Sequence, residues 1–226
     1  MVQKLKALLF LSLWILAGLL ALPSLLRAHE VVGEVTPLMI HMKRVLILIE
    51  NGKEREAFHE TRMVYEDFSH EMGMGMVMQG AGLKTTAGNI DRRFGTQIGM
   101  SLEDALKSGD ALRLQKVVQE LSFLLMREKF ETLQATFGKK PVNRESQRTM
   151  FWLGRNYFSY LLEPALTKRD PVEGQRLDRL LDSMLYRLED GQAEIFVDLQ
   201  KELVKGILKA FRLDLPPLMP GDLHPQ

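Results

Sequence analysis

The sequence predicts an all-α fold, an antiparallel helical bundle that follows an N-terminal signal peptide. Three observations predict it. Apolar residues recur at spacings of three and four almost throughout from Pro37 onward, no stretch sustains a two-residue alternation over a strand's length, and residues that start and stop helices separate the periodic runs.

The first 28 residues read as the signal. Lys4 and Lys6 precede an apolar run from Ala7 to Leu22, Pro23 and Ser24 end it, and Ala28 supplies a small residue before a cut at His29. The run is about sixteen residues, short of the ~20 that cross a bilayer, so an uncleaved anchor is the weaker alternative and would be the protein's only hold on a membrane. The expected location is periplasmic or secreted. Cleavage removes Lys4, Lys6 and Arg27 and no acid, changing the net charge from +1 to −2. Basic and acidic residues are interleaved along the remainder, which argues against a nucleic-acid partner. The chain has no cysteine, which excludes disulfides, thiolate metal sites, a cysteine nucleophile and covalent haem attachment. Any metal falls to His, carboxylate, Met or backbone oxygen.

A domain over residues 29–212 is expected to begin with a helix from Pro37 to Glu50, capped by Thr36 and stopped by Asn51-Gly52. A second helix is expected from Lys53 to about His70. Residues 73–99 are dense in glycine and methionine and predict an irregular connection, with a short helix from Thr86 to Ile98 inside it, because each interior glycine costs a helix ~1 kcal/mol. Ser101 and Asp104 resemble a capping box for a short helix ending at Gly109. A long helix follows from Asp110 to Phe137, then an aromatic-rich helix after Asn143 with a kink at Glu163-Pro164. Asp170-Pro171 opens a helix with a clean leucine stripe, Gly191 ends it, and a last helix spans Ala193 to Phe211. Residues 213–226, with four prolines from Pro216 to Pro225, read as a flexible tail.

On the second helix as predicted, His59, Met63, Glu66 and His70 fall on one stripe, and imidazole with carboxylate at helical spacing suits Fe, Zn, Cu or Ni. The same stripe fits a solvated polar face. His70-Glu71 leads into Met74, Met76 and Met78, an alternation that suits a soft ion such as Cu(I) and equally suits adaptable packing. His29-Glu30 at a new N-terminus would chelate Cu(II). His41 lies beside the apolar stripe of Leu38, Val45 and Leu48 and is a candidate ligand for non-covalent haem, or an ordinary hydrogen-bonded core histidine. No hydrolase, zinc-protease or nucleotide-binding motif is present, so an enzyme is not expected.

Tyr65-Glu66-Asp67-Phe68 with Glu71, then Ile90-Asp91-Arg92-Arg93-Phe94, then Leu102 to Ala105 before Lys107-Ser108-Gly109-Asp110, resemble the extracytoplasmic helical domain of bacterial high-affinity iron permeases. The similarity covers about 60 residues. Ser69 stands where the family has an acid, and the permease's membrane helices are absent. The resemblance implies a detached periplasmic partner in iron uptake, with Glu66, Glu71 and Asp91 as metal contacts.

The expected function is therefore an exported helical protein that binds or hands over a transition metal, iron or copper, through His59, Glu66, His70, Glu71, Met74 and Met76, with a membrane permease or periplasmic protein as partner. A metal-free interaction module and a haem-binding bundle centred on His41 are the alternatives.

Overall fold

The structure is a computed structural model that describes residues 35–72, 76–213 and 215, with the backbone alone described at 70–72 and 76–79. The expected signal, its cut after Ala28, His29, Met74 and nearly all of the tail lie outside these residues. The fold is all-α, a helical bundle carrying one short two-stranded ribbon.

Helix α1 (Pro37–Glu50) starts where the sequence places it. Thr36 Oγ1 accepts from the Met39 N–H at 3.3 Å, and Pro37 occupies the first turn, where no N–H is needed. Helix α2 (Glu54–Met63) returns against it through Asn51-Gly52. The second helix thus ends at Met63 rather than near His70. The N–H groups of Leu83 and Lys84 donate to the carbonyls of Val64 and Tyr65 at 2.8 and 2.9 Å, a pairing from outside the helix that takes the chain out of it.

Within the predicted irregular connection, residues 76–94 hold more regular structure than expected. Strands β1 (Phe68–Met72) and β2 (Met76–Gly80) pair antiparallel, and helix α3 (Leu83–Phe94) follows. Helix α3 tolerates the interior Gly88 because Leu83, Ala87, Ile90 and Phe94 are buried, and that burial outweighs one glycine's cost. It stops at Gly95, whose φ of +64° is left-handed, so Ile98 begins the next helix instead of ending this one.

Helix α4 (Ile98–Ser108) starts before the expected capping box, leaving Ser101 inside it. Its cap comes from the preceding helix: Asp91 accepts from the N–H groups of Ile98 and Gly99 at 2.7 and 2.8 Å. Helix α5 (Ala111–Gln134) is the centre of the bundle. Every residue from Glu120 to Arg127 is buried, the pattern of a helix covered on all sides, and it packs on α1 to α4 and, later in the chain, on residues 144–162 and the helix Ala193–Phe211.

Helix α6 (Arg144–Asn156) lies along α5 and continues through a π-helical turn (Tyr157–Leu162) into α7 (Glu163–Arg169). This turn lies immediately before Glu163-Pro164, where the kink was expected. Pro164 has no N–H for the carbonyl of Tyr160, and the Glu163 N–H reaches five residues back to Phe158. Helices α8 (Pro171–Glu189) and α9 (Ala193–Phe211) pair beside them. No described helix is long and apolar enough to cross a membrane.

Candidate metal site

The β1–β2 ribbon is fixed firmly at its root. Asp67 Oδ1 accepts from the Gly82 N–H at 2.9 Å, and this bond, with another from the Thr85 hydroxyl, holds the carboxyl below its usual range. The segments leading into and out of the ribbon come so close here that a Cβ at position 82 would lie 2.1 Å from the Glu66 carbonyl oxygen, so only glycine fits. At the first ribbon pair, the Phe68 ring covers Gly80, where an added Cβ would meet Cζ at 2.9 Å. The same ring packs edge-on against His41, centroid to centroid 5.4 Å.

His41 is in turn joined to α2. Its Nδ1 lies 2.6 Å from Glu60 Oε1, while Arg44 Nε lies 3.3 Å from Glu60 Oε2. Glu60 is only 3% exposed, so this paired arrangement keeps a buried carboxylate satisfied. A carboxylate on one ring nitrogen fixes a histidine's orientation, as it does for metal-bound histidines, and here it ties α1 to α2 behind the ribbon root. Sequence reasoning missed Glu60. The available signal was that residues 41 and 60 lie at similar distances either side of the Asn51-Gly52 turn, so an antiparallel helix pair brings them level.

Along the ribbon the register pairs Phe68 with Gly80, His70 with Met78 and Met72 with Met76, and these alternate pairs share one face. Ser69 with Gln79 and Glu71 with Val77 belong to the other. One face therefore holds an imidazole position and three thioether positions. Residues directly opposite in such a pair have Cβ atoms ~5 Å apart.

The other predicted ligands are dispersed. His59 is not on a shared stripe with His70, since one is on α2 and the other on β1. It lines a cleft of about 260 Å³ with Arg44, Arg55, Glu56 and Glu60, where two guanidinium groups oppose a bound cation. Met63 is exposed at the end of α2. Glu66 pairs with Lys84 Nζ at 2.8 Å, and Glu71 sits on the ribbon face opposite His70. Asp91, besides capping α4, accepts from the Thr96 hydroxyl at 2.7 Å. Of the three acids that the permease resemblance singles out, Glu66 and Asp91 thus have other partners, and among the described residues no group of three His, Asp or Glu is placed to hold a metal. Comparison with family models, curated proteins and solved structures finds no match for this chain.

Proposed function

We propose that this chain is an exported, non-enzymatic helical protein that binds a transition metal on the β1–β2 ribbon and hands it to a membrane permease or periplasmic partner, copper ahead of iron. The observation that carries the reading is the strand register, which puts His70, Met72, Met76 and Met78 on one face. Thioether and imidazole together select a soft ion, and Cu(I) is the first-row ion that fits them. Iron favours carboxylates, and Glu66 and Asp91 are already engaged by Lys84 and by the start of α4. Export is supported by the charged and apolar order from Lys4 to Ala28, and the permease partner by the resemblance between Tyr65 and Asp110.

The test is competition of the purified protein against a chromophoric Cu(I) chelator, with Fe(II) and Zn(II) alongside. One equivalent of Cu(I) should bind, and His70→Ala with Met78→Leu should weaken it at least tenfold. No uptake, or uptake indifferent to those substitutions, overturns the proposal.

A further inference from the structure

A second site is built where the ends of α7 and α9 meet the start of α8. A cleft of about 530 Å³ lies there over the buried Leu166, with Arg169, Lys209 and Arg212 on its walls. Two acids share it, and both are engaged. Asp170 Oδ1 caps α8 by accepting from the Glu173 N–H at 3.0 Å. Glu173 takes Arg176 with both oxygens, at 2.7 and 2.8 Å, and that guanidinium holds its carboxyl below the usual range.

Of the cations, Lys209 is close enough to Glu173 to help hold that carboxyl low, while Arg169 and Arg212 keep more of their capacity. Arg169 donates to the Ala210 carbonyl and its Cζ lies over the Phe211 ring, 5.4 Å from the centroid, which leaves further N–H groups of its five. Among the described residues none of Arg169, Lys209 and Arg212 is in an ion pair, although the neighbouring Lys168 reaches Glu50 at 3.7 Å. Arg212 also has a backbone that a non-glycine residue rarely adopts, with φ 51° and ψ 44°. That turn sends Leu213 into the core and leaves Arg212 exposed at the edge of the cleft.

We infer that this cleft binds a phosphate group, held by Arg169, Lys209 and Arg212. Guanidinium forks match phosphate oxygens two at a time, and a lysine adds a point charge. The group belongs either to a free phosphate compound or to an anionic lipid headgroup, and the chemistry at the protein is the same.

Isothermal titration of the whole protein with inorganic phosphate at low ionic strength tests the site, beside flotation with phosphatidylglycerol and phosphatidylcholine vesicles. Saturable one-to-one binding is expected, weakened at least tenfold by Lys209→Gln with Arg212→Asn. Asparagine tolerates the left-handed backbone, and circular dichroism checks the fold. Should the double variant unfold, Lys209→Gln alone, at an exposed position, should still weaken binding at least threefold. Phosphate binding without flotation identifies a free phosphate ligand; flotation confined to phosphatidylglycerol and reversed by phosphate identifies the headgroup. Neither saturable phosphate binding nor selective flotation, or binding undiminished in the variants, overturns the inference.

Discussion

His41 Nδ1 and Glu60 Oε1 lie 2.6 Å apart and join the first two helices directly behind the root of the β-ribbon. With Glu60 buried and Arg44 on its second oxygen, the pair is a strut between α1 and α2. Glu60→Ala should destabilise the protein by about 2 kcal/mol, the scale of a hydrogen bond to a charged group lost from a buried position. Urea denaturation checks this. The double variant His41→Leu with Glu60→Leu should cost less than the sum of the two single changes, because neither partner is then left buried alone.

Glycine substitutions separate two environments. At Gly154 an added Cβ would meet the fully buried Phe130 ring at 2.6 Å, whereas at Gly88, inside α3, nothing lies within 4 Å. Gly154→Ala should cost about 1–3 kcal/mol through overpacking, and Gly88→Ala should gain about 0.5–1 kcal/mol by stiffening the unfolded chain. Thermal melts of the two proteins should move in opposite directions.

Asp67 makes the ribbon root acid-sensitive. Its carboxyl is held below its ordinary 3.8 in the folded state by the Gly82 N–H and then by Thr85. The sign follows from linkage: this contribution is present above the unfolded value and is lost as pH falls through the lower folded value. Protection of the Leu83 and Lys84 amides, measured as exchange relative to the intrinsic rate at each pH, should fall in acid in the native protein. In Asp67→Ala it should already be low at neutral pH, with no acid step.

Tyr157 should ionise well above the ordinary tyrosine value of 10. Burial first, and then the nearby Glu128 charge, push its hydroxyl up to about 12, against an opposing bond with Thr36. The stability that its neutral form contributes is complete below 10 and is lost as pH rises toward 12. Ultraviolet titration should show a late step that Tyr157→Phe removes.

The parts of the fold that rest on local chemistry were legible in the sequence. Thr36, Asp110, Asn143 and Asp170 cap the helices they were expected to start, each accepting from a backbone N–H three residues on. The parts decided at a distance were not. Helix α2 stops at Met63 because amides from residues 83 and 84 bond to Val64 and Tyr65, and α4 is capped by Asp91 from another helix. The ribbon did leave a trace, the Met72, Met74, Met76, Met78 alternation. Its glycines argue against a strand, and the run is too short to outweigh the helical period around it. Density of ligands near His70 was visible, but their common face depends on pairing with β2. The grouping of His59 with His70 assumed a continuous helix and dissolves with it.

X-ray absorption at the copper edge of the Cu(I)-loaded protein tests the central claim most directly. Coordination by thioether sulfur with one imidazole is predicted, with the sulfur contribution reduced in Met72→Leu with Met76→Leu, which leaves Met78, and the imidazole lost in His70→Ala. Copper held only by oxygen and nitrogen, or a spectrum unchanged by those substitutions, would contradict it.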